Sequence, residues 1–182
     1  MTVLPLVITP DPRLKKMSEP VEKVDSSIRQ IMDDLLETMY STNGIGLAAI
    51  QVGIAKRILV MDLEYGSKRY QDENGNDQEE KKKPNPIFMV NPKIVKMSEE
   101  ENTYEEGCLS FPGQYADVTR PKKVTIEYLD YDGNQKFLEA DDLLSTCVQH
   151  EIDHLNGVTF VDYLSRMKRN MIIKRIVKQS KK

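Results

Sequence analysis

The chain has two histidines, His150 and His154, and both belong to one HExxH stretch with Glu151 between them. In a helix this four-residue step turns about 400°, so the two imidazoles project about 40° apart, one turn of rise between them. Rings so placed can bind one metal ion, with Glu151 beside the ion, able to exchange a proton with a bound water. The spacing therefore predicts metal-assisted hydrolysis. The alternative is a buried helix whose histidines only find hydrogen-bond partners.

Such a site needs a third protein ligand and an open position. The 29 acidic residues are too many to single out one carboxylate, and two cysteines offer a thiolate. Cys108 lies among glycines and a proline that mark a shaped turn, whereas Cys147 lies three residues before His150 and is interpreted as a wall residue. For both cysteines the role of a small buried apolar side chain stays open.

The elements that must position these residues belong to one domain, as expected for 182 residues. The net charge of -3 gives no general nucleic-acid signal, and no run of apolar residues approaches the length of a membrane span. No basic residue precedes Arg13, so the start does not resemble a signal peptide. We therefore expect a cytoplasmic protein with reduced cysteines.

Apolar spacing predicts a helix that begins near Asp25 or Ser26 and ends before Asn43-Gly44. The small residues of 44–51 permit close approach, either of another element or of a substrate strand that would meet the amide of Gln51. Further predicted elements are strands at 57–63, 87–90 and 93–97, a solvated hairpin or mobile loop at about 64–86, a turn at 104–113, a hairpin at 123–130 and 135–140, the HExxH helix from Asp141 or Asp142 to Asn156-Gly157, and a basic helix at about 164–179.

Three segments, 44–51 (GIGLAAIQ), 106–110 (EGCLS) and 149–154 (QHEIDH), resemble in that order the three signature motifs of the peptide deformylase family. The resemblance covers nearly the whole chain, 1–182, as a single catalytic domain. It implies an α+β fold with antiparallel strands surrounding a central helix that carries HExxH, followed by a C-terminal helix. It also implies removal of the formyl group from the N-terminal formyl-methionine of nascent polypeptides, with release of formate.

The resemblance implies a role for particular residues. Cys108, His150 and His154 would bind one divalent metal ion, and Glu151 would act as general acid and base. Gln51 and the backbone N–H of Leu109 would bind the oxyanion. Ile45 and Gly46 would line the path of the peptide. The methionine pocket would be formed by Ile45, Leu143, Cys147 and the neighbourhood of His150.

A Cys/His/His set fits both zinc and ferrous iron, so the residues do not choose the metal. The resemblance implies Fe²⁺ as the working ion, with Zn²⁺, Ni²⁺ or Co²⁺ able to occupy the site. The implied partners are N-formylmethionyl peptides and the ribosome, reached through the basic C-terminal helix; an ordinary solvated amphipathic helix is the alternative. We expect a monomer with no membrane contact.

The chain departs from the family at Tyr115, where many members carry an arginine that would contact the peptide. Arg120 does match a common position and is expected to be structural, and Phe111 is expected to narrow the entrance. Two rival functions remain: another HExxH metallopeptidase, which would not need Cys108, and a non-catalytic protein that binds metal or formyl peptides.

Overall fold

A computed structural model describes residues 1–64, 67–71, 77–81 and 83–180 of the chain. Its α-helices are α1 (Ser26–Ser41), α2 (Asp142–Leu155) and α3 (Arg166–Gln179). Its strands are β1 (Gly46–Ala48), β2 (Ile58–Met61), β3 (Ser67–Gln71), β4 (Asp77–Lys81), β5 (Ile87–Met97), β6 (Glu101–Gly107), β7 (Tyr115–Pro121), β8 (Lys123–Leu129) and β9 (Gln135–Asp141).

The fold is α+β, as predicted, and every strand pairing is antiparallel. Five strands form the main sheet in the order β1-β2-β5-β8-β9, while β3 with β4 and β6 with β7 form two small sheets. β1 is an edge of the main sheet. No helix in the described part of the chain is long and apolar enough to cross a membrane.

α1 forms where the sequence predicted it. The carboxylate of Asp25 accepts hydrogen bonds from the backbone N–H groups of Ser27 and Ile28, which would otherwise lack partners at the helix start. Past its end, Asn43 adopts a positive φ of 54°, a conformation that Asn tolerates better than most residues. The buried apolar stripe of α1 packs against one face of the main sheet.

β2 is buried on both faces because helices cover both sides of it. Ile58 and Val60 pack in the cluster that contains α1, whereas Leu59 and Met61 pack with Val148 and other residues of α2. Successive side chains of a strand point to opposite faces, so an uninterrupted apolar run suits this position. α2 therefore lies inside the fold, as its apolar flanks predicted.

Two predictions for the middle of the chain need correction, and the hairpin expected as one alternative at about 64–86 is present. The two strands expected on either side of Asn91 form one strand, β5, because Asn91 takes a positive φ of 53° at a bulge and its side-chain amide bonds the backbone of Val21. The first residues of the turn expected at 104–113 belong to β6, which ends at Gly107, and neither β6 nor its partner β7 was predicted. In the segment 64–86, β3 and β4 pair as a hairpin; the solvation and mobility predicted there lie outside the described residues.

Candidate metal centre and active site

Three potential metal ligands converge although they come from two parts of the chain. Sγ of Cys108 lies 3.2 Å from Nε2 of His154, which lies 3.2 Å from Nε2 of His150. All three ligand atoms are within 4.8 Å of one another. The histidines come from one face of α2, as the HExxH spacing predicted, and Cys108 comes from the turn that follows β6. A thiolate and two imidazoles form a donor set that suits zinc or ferrous iron.

Glu106 fixes the orientation of His150. Its Oε2 lies 2.8 Å from Nδ1 of His150, so that Nδ1–H donates to the carboxylate and Nε2 faces the other two ligands. Carboxylates commonly orient metal-binding histidines in this way. Burial works to raise the pKa of Glu106, but hydrogen bonds from His150 and Arg120 outweigh it and lower the pKa. No role was predicted for Glu106 from the sequence, although it opens the EGCLS motif.

Arg120 holds Glu106 in turn. Its guanidinium donates to both carboxylate oxygens of Glu106 and, at 2.8 Å, to Asp153 of α2, and it lies over the ring of Tyr163. The Arg120 side chain is 3% exposed. Arg120 therefore has the structural position expected of it, linking β7 to β6 and to α2.

The two histidines differ in their affinity for a proton. Burial opposes charge on His150, but hydrogen bonds to Cys108 and Glu106 outweigh it and raise its pKa well above the usual value. Burial and the charge of His150 lower the pKa of His154 well below the usual value. His154 thus has an unprotonated nitrogen available, the form that binds metal ions.

Glu151 is buried against the backbone of β1. A Cβ atom added to Gly46 would lie 2.5 Å from Oε1 of Glu151, so only glycine permits this approach. Oε2 of Glu151 has no hydrogen-bond partner among the described residues. Burial raises the pKa of Glu151 to about 7, against the lowering effect of His150. Near neutral pH this carboxyl group can both accept and release a proton; a cation held by the three ligands would lower its pKa.

Gln51 presents its amide to the same place. Its Oε1 accepts a hydrogen bond from the N–H of Ala48 at 2.9 Å, which turns Nε2 toward Sγ of Cys108, 3.4 Å away, and Oγ of Ser110, 3.3 Å away. The Gln51 side chain is buried. No role was predicted for Ser110 either, although it ends the EGCLS motif.

A cavity of about 550 Å³ opens beside these groups. Ile45 and Leu143 are partly exposed at its rim, and Cys147 is buried in its wall with Sγ 3.8 Å from the carbonyl oxygen of Ile45. Nine of the ten residues predicted for the site line this cavity: Ile45, Gly46, Gln51, Cys108, Leu109, Leu143, Cys147, His150 and Glu151. The tenth, His154, is fully buried behind them.

Two aromatic residues occupy different places in this cavity. Phe111 is 2% exposed and its ring packs edge-on against Phe160 at 5.2 Å. Its ring is buried in the core behind the site and the residue also lines the cavity, and the expected narrowing of the entrance stays a prediction. Tyr115 is 64% exposed and lies at the mouth.

Comparison with known proteins gives a consistent result. The family model for polypeptide deformylase matches residues 3–170. A peptide deformylase of Rhizobium meliloti (strain 1021) is 51% identical over all of this chain and 96% of its own length. The crystal structure of peptide deformylase from Ehrlichia chaffeensis in complex with actinonin covers 100% of both chains with a TM-score of 0.86 and 45% identity.

A second similar structure is the Met-Ala-Ser bound class I type b peptide deformylase from Acinetobacter baumannii. It has a TM-score of 0.75 and 32% identity, and the match covers 90% of this chain and 99% of that one. The sequence comparison and the structure comparison thus give the same family over nearly the full length of the chain. The sequence identities are well above those expected of proteins that share only a fold. The chain belongs to the polypeptide deformylase family, a family of hydrolases.

Proposed function

We propose that this protein removes the formyl group from the N-terminal formyl-methionine of nascent polypeptides and releases formate, with one divalent metal ion bound by Cys108, His150 and His154. The observation that carries the proposal is the convergence of these three ligand atoms beside the buried carboxylate of Glu151, in a cavity large enough for a peptide end. A bound cation would supply Lewis acidity, which makes water more acidic and polarises the formyl carbonyl.

Glu151 moves the proton. Its unpartnered Oε2 accepts a proton from the attacking water and then delivers it to the leaving amine, so that the amide C–N bond breaks to give formate and a free amino terminus. Burial raises the pKa of this carboxyl group and a bound cation would lower it, so the two effects oppose each other at the group that takes up and gives back the proton. Its contact with Gly46 fixes where the proton transfer takes place.

Two donors serve the carbonyl oxygen as negative charge develops on it. One is Nε2 of Gln51, which is aimed at the ligand cluster because Ala48 N–H holds the other end of the amide. The second is the backbone N–H of Leu109, directly after Cys108. Preorganised donors of this kind stabilise the transition state because they need no reorganisation during the reaction.

The peptide would bind along the open edge of β1. An extended chain can add to a sheet edge through backbone hydrogen bonds, and Ile45 and Gly46 lie at this edge beside Glu151. The methionine side chain would occupy the apolar region formed by Ile45, Leu143 and Cys147. The complexes of two relatives, one with Met-Ala-Ser and one with actinonin, support ligand binding by this protein.

Formate release from formyl-Met-Ala-Ser under anaerobic conditions, with metal analysis of the same sample, tests the proposal. The metal-loaded protein should release one formate for each peptide deformylated. Glu151→Ala should keep its metal and lose formate release by about 10²- to 10⁴-fold. A metal-loaded protein that releases no formate, or a Glu151→Ala variant with full activity, would contradict the proposal.

A metallopeptidase that cuts internal peptide bonds is the second candidate, because it would share Glu151 and both histidines. It would not need Cys108, whose thiol lies 3.2 Å from Nε2 of His154 here. Cys108→Ala should therefore abolish metal retention if the deformylase proposal holds and leave it largely intact otherwise. Cys147→Ala is the matched control, since that thiol bonds a carbonyl oxygen away from the ligand cluster.

We also propose that the protein works as a monomer and contacts the ribosome through α3. Ile172 and Ile176 are buried on one side of this helix. Five basic side chains are exposed on it, beside the exposed Met167 and Met171: Arg166, Lys168, Lys174, Arg175 and Lys178. Such a surface suits phosphate groups. Cosedimentation with ribosomes should fall for a chain ending near Met167 and for Lys174→Glu with Arg175→Glu; unchanged cosedimentation would refute docking.

A further inference from the structure

Tyr163 is not among the described residues that line the cavity, yet it contacts residues that hold the ligand cluster in place. Its hydroxyl donates a hydrogen bond to Oδ2 of Asp153 at 2.8 Å and accepts one from the guanidinium of Arg120 at 3.3 Å. The guanidinium also lies over the tyrosine ring, 4.6 Å from its centre, which is a cation–π contact. Tyr163 therefore contacts both members of the Arg120–Asp153 ion pair.

One route from Tyr163 to a metal ligand passes through Arg120. The guanidinium donates to both carboxylate oxygens of Glu106. Oε2 of Glu106 in turn lies 2.8 Å from Nδ1 of His150. Because each of these groups is oriented by the next, a change in the position of Arg120 would alter the orientation of the His150 ring.

A second route passes along α2. Asp153 directly precedes His154 in this helix and follows His150 by three residues, so it lies within the turn that carries both imidazoles. Side chains three residues apart are neighbours on the surface of a helix. The hydrogen bond from the Tyr163 hydroxyl to Asp153 therefore restrains the part of α2 from which the two histidines project.

The backbone that carries Tyr163 is itself fixed. Tyr163 is the last residue of a 3-10 helix between α2 and α3. At the start of that helix, Oδ2 of Asp162 accepts hydrogen bonds from the backbone N–H and the hydroxyl of Thr159, each at 2.8 Å. Phe160 and Val161 are buried. A side chain on such a segment is placed before any ligand binds, as a group that supports a functional site must be.

The ring of Tyr163 also covers the ion pair on its solvent side. Tyr163 is 50% exposed, whereas the side chains of Arg120 and Asp153 are 3% and 18% exposed. A pair shielded from water is held more strongly and is screened less by salt. Burial and the negative charge of Asp153 raise the pKa of Tyr163, so its hydroxyl keeps the proton that it donates.

We propose that Tyr163 is a positioning residue for the metal centre, which acts through Asp153 and Arg120 to hold the two histidines of α2 in the geometry that binds the ion. This inference rests on the proposed binding of a metal ion by the three ligands. The contribution of Tyr163 is to metal affinity and to the arrangement of the ligands.

Tyr163→Phe tests the hydroxyl, because it keeps the ring. Competition with a chelator for Zn²⁺ should show an affinity about 3- to 10-fold lower than that of the unaltered protein, less than the loss of about 10- to 100-fold expected when a direct partner of a ligand is removed. The absorption spectrum of the Co²⁺-loaded variant should also change, because the d–d bands of Co²⁺ depend on ligand geometry. Tyr163→Leu also loses the cation–π contact and should show a larger decrease in affinity.

Tyr131→Phe is the matched control. The Tyr131 hydroxyl likewise donates to a carboxylate, that of Asp33 at 3.2 Å, and the guanidinium of Arg29 lies 5.9 Å from its ring centre, but the residue packs in the cluster that contains α1. This variant should keep the Zn²⁺ affinity and the Co²⁺ spectrum of the unaltered protein. Tyr163→Phe added to Glu106→Gln should lower the affinity by less than it does alone, since one route is already broken.

Formate release from formyl-Met-Ala-Ser by the same samples separates this inference from the proposed function. If Tyr163→Phe lowers only the urea midpoint, or changes nothing, while the unaltered protein releases formate, Tyr163 is at most a structural residue and this inference fails alone. If metal binding responds to Tyr163→Phe as expected but the unaltered protein releases no formate, the proposed function fails alone. A protein that binds neither Zn²⁺ nor Co²⁺ would overturn both.

Discussion

Oε2 of Glu106 accepts a hydrogen bond from Nδ1 of His150 and another from the guanidinium of Arg120, so one buried carboxylate serves both a candidate metal ligand and a structural ion pair. The register of β6 with β7 places Arg120 near Glu106, and α2, which lies beside these strands, brings His150 to the same carboxylate. Chemistry and stability therefore depend on the same side chain, and substitutions at Glu106 and at Arg120 test these two contributions.

Glu106→Gln should weaken metal binding. The amide keeps the shape but loses the negative charge that orients and polarises His150, and loss of such a partner lowers metal affinity by about 10- to 100-fold. Competition with a chelator measures the affinity. The exposed neighbour Glu105, changed to Gln, is the control and should retain the unaltered affinity; equal affinities for all three proteins would contradict the role assigned to Glu106.

Arg120→Met should destabilise the fold. It leaves Glu106 and Asp153 without their buried cation, and removal of one partner from a buried ion pair costs about 3–5 kcal/mol. Urea denaturation measures the change in the free energy of unfolding. Lys122→Met breaks the exposed pair with Glu100 and should cost less than about 1 kcal/mol. Similar losses for both variants would mean that Arg120 is not a buried structural cation.

Gly46→Ala should impair turnover while metal content stays normal. The new methyl group would lie 2.5 Å from Oε1 of Glu151, so the carboxylate must move. Misplacement of a catalytic group by about 1 Å can cost about 100-fold in rate. The measurement is kcat/KM for formyl-Met-Ala-Ser with metal analysis of the same protein. An alanine variant as active as the parent would show that the position of Glu151 is not critical.

The iron-loaded protein should lose activity in air faster than a nickel-loaded sample. Cys108 is only partly buried, and a thiolate on ferrous iron is open to oxidation together with the metal. Residual formate release after timed exposure to air measures the decay, with an anaerobic sample of each form as reference. Equal decay of the iron and nickel forms would remove the reason to assign iron as the working ion.

The sequence predicted those elements whose signals are local. The apolar period of α1, the Asp132-Gly133 turn between β8 and β9, and the spacing of His150 and His154 each depend on neighbouring residues, and the structure confirms all three. The resemblance then supplied Cys108 and Gln51, which the structure places beside the histidines.

The side chains that contact these residues could not be predicted from local signals in the sequence. Arg120 meets Glu106 only because β6 and β7 pair in one register, which places residues 14 positions apart in contact. β6 itself is mostly polar, with neither the apolar alternation nor the β-branched content that marks a buried strand. β6 forms a strand because of the elements that pack against it, and a single sequence does not show which elements those are.

Arg120 also joins more of the fold than its own strand. The guanidinium contacts Glu106 on β6, Asp153 on α2 and the hydroxyl of Tyr163 in the 3-10 turn that precedes α3. Segments tied through one buried charge cannot open separately without exposing that charge unpaired. The backbone amides of β6, β7 and the second half of α2 should therefore exchange their hydrogens with solvent as one cooperative unit, while those of β9, at the far edge of the sheet, exchange independently.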